Sequence, residues 1–193
     1  MSRAPKHQPR RAGDAYYTPD SLAEACVNVV PAWGSPVILE PSVGGGAFVR
    51  AARKRWADCT VHVRDIDPRA RGLDLGDQAT VGDFLDSHFP GIDAVIMNPP
   101  YSFAVEHIQH ALGMCPRVGA LVRMALMESK ARIGFWRTSP LACAWVLAER
   151  PSFTGRGTDA AAYAWLWFDR THEGPAAIVP GWDWSGARQR ALL

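Results

Sequence analysis

The chain has 193 residues, of which 48% are hydrophobic and 21% charged, and its formal net charge is +2. Such a chain is long enough to fold as one globular domain with a full core. No apolar run approaches the length of a membrane span, and the start is polar and basic rather than a signal peptide. We therefore expect a cytoplasmic protein. The small net charge does not by itself indicate a nucleic-acid partner.

Charge distribution suggests three regions. Residues 1–13 form a basic arm that we expect to be disordered, with four Lys or Arg residues and no acid in its first eleven. Residues 14–180 form a single domain, and 181–193 form a C-terminal tail. The arm could neutralise phosphates, or it could be an ordinary solvated tail. The four cysteines are scattered without metal-ligand spacing, so we expect reduced core residues and no metal site.

The first predicted helix follows Tyr17-Thr18-Pro19. Thr18 is a candidate N-cap and Pro19 suits the first helical position. The apolar residues behind them have helical spacing. These residues are Leu22, Ala25, Cys26, Val29 and Val30.

A glycine-rich loop then separates a short apolar strand, 37–40, from a helix that begins near Phe48. Glycines at this place allow a tight turn and a close approach of the backbone to a ligand. Gly44 and Gly46 match a G-x-G pattern, but position 49 is Val. The loop is therefore not the dinucleotide fingerprint.

Acidic residues follow the next predicted elements. The strand 59–64 ends at Asp65, where an acid can accept both hydroxyls of a ribose. Asp67 precedes Pro68, a pattern that favours an N-cap. Asp83 lies in the segment 80–85, between that strand and the next one.

Asn98-Pro99-Pro100-Tyr101 follows the apolar strand 93–97. Ligands bind at the carboxyl ends of strands in open α/β sheets. The prolines stiffen the turn, and the Asn98 side chain and the Pro99 carbonyl offer two acceptors. Two acceptors suit an amino group with two hydrogens, and the Tyr101 ring suits a planar partner. The alternative is a simple Pro-Pro turn that closes a strand.

The remaining elements are predicted from periodicity. We expect a helix near 103–112, a buried strand at 118–124, mainly helical structure over 128–148, and a terminal hairpin of 150–154 with 160–168. In the last strand, large aromatic residues alternate with other apolar residues. We interpret the Trp165 and Trp167 face as core packing.

These motifs resemble those of the S-adenosylmethionine-dependent amino-methyltransferases, above all the adenine-N6 DNA methyltransferases. Asn98-Pro99-Pro100-Tyr101 is similar to their catalytic motif, and the stretch 39–48, Leu-Glu-Pro-Ser-Val-Gly-Gly-Gly-Ala-Phe, is similar to their cofactor loop. The order, with Tyr-Thr-Pro first, resembles the gamma type. The resemblance implies a doubly wound, Rossmann-like α/β fold, with a mostly parallel seven-stranded sheet and an antiparallel last strand.

The resemblance also implies a site. Asp65 would bind the ribose of S-adenosylmethionine, Ile66 would pack on its adenine and Asp83 would accept from the adenine amino group, while the helix start near Thr18 would reach the methionine carboxylate. The cofactor-binding residues would be Tyr17, Thr18, Glu40, Pro41, Ser42, Gly44, Gly46, Phe48, Asp65, Ile66, Asp83, Phe84 and Asn98. The catalytic residues would be Asn98, Pro99, Pro100 and Tyr101, and the substrate-binding residues Tyr101, Phe153 and Arg156.

The implied substrate is the N6 of a flipped-out adenine in nucleic acid, with DNA favoured over RNA and no membrane involved. No segment is long enough for a large target-recognition domain, so we expect loose specificity, a short context, a single-stranded or RNA substrate, or a protein partner that reads the target. Compact phage and prophage enzymes are the most similar form. The alternatives are an RNA adenine-N6 or protein-glutamine methyltransferase, and a non-catalytic cofactor-binding subunit.

Overall fold

A computed structural model describes residues 17–153 and 160–185. The predicted basic arm, Arg156 and the last eight residues of the predicted tail lie outside the described residues. Within the described part, no helix is long and apolar enough to span a membrane.

One mixed sheet runs through the described part of the chain. Its strands are β1 Val37–Glu40, β2 Thr60–Asp65, β3 Gln78–Val81, β4 Ala94–Met97, β5 Arg117–Arg123, β6 Leu141–Leu147, β7 Tyr163–Asp169 and β8 Ala177–Trp182. Their spatial order is β3-β2-β1-β4-β5-β7-β6-β8. The prediction of a mostly parallel doubly wound sheet is confirmed, but the sheet has eight strands rather than seven.

The strand directions correct a second detail. β7 is antiparallel to both of its neighbours, β5 and β6, while β8 pairs with β6 in parallel. The antiparallel strand is therefore the penultimate one. β8 also crosses residue 180, the expected end of the domain, and Trp182 is buried against Trp145 with the ring centroids 6.4 Å apart.

Residues 128–148 are not mainly helical, contrary to the sequence-based expectation. They contain a 3₁₀-helix, Lys130–Arg132, the short α-helix Ile133–Thr138 and then β6, which forms the antiparallel pair with β7. The predicted hairpin strand at 150–154 is likewise wrong, because β6 takes that role. The sequence of β6, Leu-Ala-Cys-Ala-Trp-Val-Leu, has no clear alternation, and its pairing with a buried neighbour decides its conformation.

Helices cover both faces of the sheet. They are α1 Asp20–Asn28, α2 Ala47–Arg55, α3 Ala104–Met114 and α4 Ile133–Thr138. One core lies between α1, α2 and one face of the sheet, and the other lies between α3, α4 and the opposite face. In β7, Tyr163, Trp165 and Trp167 enter the first core while the intervening residues enter the second. The prediction that the two tryptophans pack in the core is confirmed.

The chain order reverses between β1 and β4. From β1 the chain continues to β2 and β3 on one side, and it then crosses to β4 and β5 on the other. The crevice beyond the carboxyl ends of two such strands is where ligands bind in doubly wound folds. The glycine-rich loop follows β1 and Asn98 follows β4, so both motifs lie at this point.

Candidate active site

The glycine-rich loop is held against the end of β2. Gly44 and Gly46 have φ angles of 48° and 78°, which L side chains rarely adopt. The Gly44 N–H donates to Asp65 Oδ2 at 2.9 Å, and the Asp67 N–H donates to Asp65 Oδ1 at 3.0 Å. Asp65 is buried. The predicted ribose acceptor therefore also fixes the loop.

Asp67 has a local role beside this loop. Its Oδ1 accepts from the Arg69 backbone N–H at 3.0 Å, and its carboxylate pairs with the Arg69 guanidinium. The prediction that Asp67 is a helix N-cap is wrong. Its side chain closes a turn, and the next helical element is the short 3₁₀-helix Arg71–Leu75, whose N-cap position is Ala70.

A third glycine, Gly72, supports the loop, and no sequence motif predicts this role. The Gly72 N–H donates to the Gly44 carbonyl at 2.9 Å. A Cβ atom at Gly72 would lie 2.4 Å from Val43 Cγ2 and 2.8 Å from the Gly46 nitrogen. No side chain fits there, so the 3₁₀-helix can touch the loop only through glycine. Nothing in the local sequence distinguishes Gly72 from an ordinary turn glycine.

Two side chains from outside the loop complete its support. The Tyr17 ring, which is half exposed, lies on Gly45, where a Cβ would be 2.9 Å from Tyr17 Cδ1. Arg50, which we did not predict, donates to the Gly45 carbonyl at 2.8 Å and forms an ion pair with Asp20 at 2.6 Å. The loop is therefore joined to the start of α1 and to α2.

Glu40 is a buried carboxyl group at the end of β1, with 3% of its surface exposed. Burial raises the pKa of Glu40 well above its usual value, the Ser42 backbone N–H opposes that shift, and the Asp65 charge adds to it. Its Oε1 has no hydrogen-bond partner among the described residues. A buried acceptor without a partner is costly unless a donor from a ligand reaches it.

Exposed apolar side chains and one backbone turn mark the other side of the crevice. Ile66 directly follows β2 and is 54% exposed. Val81 is the last residue of β3 and is 52% exposed. Asp83 Oδ1 accepts from the Leu85 N–H at 2.9 Å, and Arg64 donates to the Asp83 carbonyl at 3.1 Å. This arrangement holds the Asp83 segment at the same edge as Asp65.

Asn98 and Thr18 form a contact that overturns the predicted N-cap. Asn98 Nδ2 donates to Thr18 Oγ1 at 3.1 Å. Pro19 occupies the N-cap position of α1, and no side chain in the described ranges caps that helix. Asn98 Oδ1 is buried and has no hydrogen-bond partner among the described residues. The amide thus turns its nitrogen to Thr18 and keeps its oxygen available.

Tyr101 belongs to an aromatic cluster beside Asn98. Its ring centroid is 5.6 Å from that of Tyr163 and 6.5 Å from that of Phe153. The Arg123 guanidinium lies 4.7 Å from the Tyr101 ring centroid and donates to the Tyr163 hydroxyl at 3.2 Å. Burial, and then Tyr163, raises the pKa of Tyr101, so the phenol stays neutral. A base that stacks on the face under Arg123 must displace the guanidinium.

Three predicted residues are largely buried by protein contacts. The Phe48 ring stacks on Trp165 at 5.4 Å, and Phe84 packs edge-on against His110 at 4.8 Å. Phe153 is 4% exposed within the Tyr101 cluster. The structure thus brings together the loop after β1, Asp65, Asp83 and Asn98–Tyr101, with Phe153 beside them. Arg156 lies outside the described residues.

Comparison with solved structures identifies the fold. The methyltransferase subunit of a type I restriction–modification system from Streptococcus thermophilus superposes with a TM-score of 0.68 at 12% identity, over 86% of this chain and 47% of that one. A putative RNA methyltransferase from Pyrococcus horikoshii superposes with a TM-score of 0.66 at 16% identity, over 84% of this chain and 90% of that one. The chain has the methyltransferase fold.

Sequence comparison gives a more limited result. The type II methyltransferase M.XamI from Xanthomonas campestris pv. amaranthicola is 35% identical over 109 residues, which is 49% of this chain. The match covers 20% of that relative's length. No protein-family model matches the chain.

Proposed function

We propose that this chain is a methyltransferase that transfers a methyl group from S-adenosylmethionine to N6 of adenine in DNA. One observation carries the proposal. Asn98, at the strand switch point, presents a buried amide oxygen that has no hydrogen-bond partner among residues 17–153 and 160–185, beside the aromatic ring of Tyr101. That pair suits an exocyclic amine on a planar base.

The described residues fit S-adenosylmethionine. No residue in the described part of the chain donates to Glu40 Oε1, and the cofactor carries a charged amino group that can supply a donor. Asp65 keeps acceptor capacity for ribose hydroxyls, since a carboxylate has about four lone-pair positions and two backbone N–H groups use two. Ile66 and Val81 offer exposed apolar surface for an adenine ring.

Asn98 and the rigid turn would perform the chemistry. The cofactor supplies an electrophilic methyl group on a sulfonium sulfur. The N6 amine is a poor nucleophile because its lone pair is delocalised into the ring. Acceptors at Asn98 Oδ1 and the Pro99 carbonyl draw its two hydrogens toward them, favour tetrahedral nitrogen and stabilise the positive charge that develops as the nitrogen–carbon bond forms. The bond between the methyl carbon and sulfur breaks in the same step, and the methylated nitrogen then releases one proton to solvent. Fixed alignment contributes further.

Adenine must leave a duplex to reach Asn98, because its amino group is otherwise paired and stacked. The Tyr101 ring would then stack on the flipped base, in competition with Arg123. Support for DNA comes from the restriction–modification system of the Streptococcus thermophilus protein and from the similarity to M.XamI. Whether one sequence is methylated or many, and whether a partner reads it, depends on contacts beyond this crevice.

Nucleoside mass spectrometry on DNA from a host that expresses the chain tests the proposal. We expect N6-methyladenine in DNA with the wild-type chain. Asn98→Ala is the control, with methyl transfer slower by about 10²–10³-fold, the cost of losing one preorganised group. N4-methylcytosine without N6-methyladenine would refute the base assignment. Methylation in RNA alone would favour an RNA methyltransferase. Full activity of Asn98→Ala would mean that the motif is only a Pro-Pro turn that closes a strand.

A further inference from the structure

Asn98 and Thr18 are separated by 80 positions in the chain, yet their side chains meet at the switch point. An asparagine amide can occupy its site in two orientations, which exchange the positions of oxygen and nitrogen. Only one orientation presents an acceptor to an amine. The other would present N–H groups to the N–H groups of the substrate, and that arrangement repels.

The Thr18 hydroxyl both donates and accepts, so the orientation that it favours depends on which atoms of the amide it leaves without a partner. Nδ2 donates to Thr18 Oγ1 at 3.1 Å, while Oδ1 is buried without a partner among the described residues. If the amide were reversed, the hydroxyl would donate to Oδ1 and Nδ2 would lose its acceptor. The two N–H groups of Nδ2 would then take the place of the one unpaired oxygen, beside the space that the substrate amine would fill.

From this geometry we infer that Thr18 is a positioning residue for catalysis, which holds the Asn98 amide with its oxygen toward the substrate amine. The inference rests on the proposed function. It gives Thr18 a role through Asn98, distinct from the cofactor contact that the sequence resemblance implied. Thr18 lies just outside α1, since it directly precedes Pro19, the N-cap residue of that helix.

Matched substitutions test the inference. Thr18→Val keeps the shape of the side chain but removes the hydroxyl, and Thr18→Ser keeps the hydroxyl. We expect kcat for DNA methylation to fall by about three- to tenfold in Thr18→Val, the range that one neutral hydrogen bond allows. The Kd for S-adenosylmethionine should stay within about twofold, and Thr18→Ser should restore kcat to within about twofold of wild type.

A second background separates orientation from simple structural damage. Asn98→Asp replaces the amide by a carboxylate, which presents an oxygen in either orientation. Adding Thr18→Val to Asn98→Asp should therefore cost less than adding it to the wild type. An equal cost in both backgrounds would overturn the inference.

Two further results would also overturn it. One is a wild-type kcat in Thr18→Val, and the other is a cofactor Kd that rises as much as kcat falls, which would make Thr18 a cofactor ligand. A wild-type protein that methylates no adenine would instead refute the proposed function. In that case NMR hydrogen exchange of the Asn98 side-chain amide still tests its contact with Thr18. Protection of the amide in the wild type and in Thr18→Ser, with loss of protection in Thr18→Val, would support the contact. Equal exchange in all three proteins would refute it.

Discussion

The Glu40 carboxyl group lies at the end of a buried strand, where water cannot stabilise its charge. Its pKa is therefore raised in the folded protein, whereas the pKa of a glutamate in the unfolded chain is about 4.3. The folded state binds the proton more tightly than the unfolded state. A raised acid pKa lowers the free energy of unfolding as pH rises above the unfolded value.

Glu40→Gln should remove that pH dependence. The amide keeps the size of the side chain and has no charge to desolvate. We expect the free energy of unfolding of the wild type, without cofactor, to decline above about pH 4.3 more steeply than that of Glu40→Gln. Urea unfolding at a series of pH values measures both curves. Parallel curves would mean that Glu40 is not the group responsible.

Tyr101 provides a second residue-scale prediction. Its ring contacts Arg123, Tyr163 and Phe153, and its phenol remains neutral. We expect Tyr101→Ala to weaken DNA binding by about 1–3 kcal/mol, the contribution of one base stacked on an aromatic ring. Tyr101→Phe keeps the ring and should be much milder. Fluorescence titration with an oligonucleotide measures the affinities, and equal losses in the two variants would contradict stacking.

At the scale of elements, the glycine-rich loop depends on a 3₁₀-helix from elsewhere in the chain. Gly72 permits the contact because a Cβ there would meet Val43 and the Gly46 backbone. The contact also uses the Gly72 N–H, which donates to the Gly44 carbonyl. The conformation of the loop is thus set by its neighbour as well as by its own glycines.

Gly72→Ala should therefore push the 3₁₀-helix away from the loop. We expect a loss of stability of about 1–3 kcal/mol, typical of overpacking, together with weaker cofactor binding. Gly34→Ala is the matched control, because a Cβ at Gly34 would have no atom of the described residues within 4 Å. Thermal unfolding and calorimetry compare the two variants. If both behave alike, the close approach is not what requires glycine at position 72.

Across the whole molecule, the proposed cofactor would join loops that follow different strands. Asp65 ends β2, Glu40 ends β1 and Asn98 follows β4, so a ligand that contacts all three favours the folded state over the unfolded one. At a ligand concentration of 100 times Kd, binding adds about 2.7 kcal/mol to the free energy of unfolding. The thermal midpoint should rise accordingly.

Two variants should respond to the cofactor in different ways. Asp65→Ala removes the acceptor for the ribose and for the Gly44 N–H, so we expect cofactor affinity to fall by about 1–3 kcal/mol and the thermal shift to shrink. Asn98→Ala should keep most of the shift, because Asp65, Asp83 and the loop remain. Differential scanning fluorimetry with and without S-adenosylmethionine makes the comparison. An undiminished shift in Asp65→Ala would remove this residue from the site.

Local patterns in the sequence determined the parallel part of the fold and the position of the crevice. Val37–Glu40 and Ala94–Met97 are short apolar runs followed by residues that turn the chain, and such runs are buried strands in any doubly wound sheet. The glycines at 44 and 46 likewise have positive φ angles. These features depend on neighbouring residues, so the sequence contains their signal.

The tertiary structure alone decided the features that depend on distant partners. β6 is a strand because it pairs with β7 and β8, although its sequence also suits a helix. Gly72 is required by the loop that it touches, and Thr18 contacts an amide 80 positions away instead of capping its own helix. A hydrogen bond or a close contact between distant segments leaves no periodic pattern in either of them, so only the folded chain reveals it.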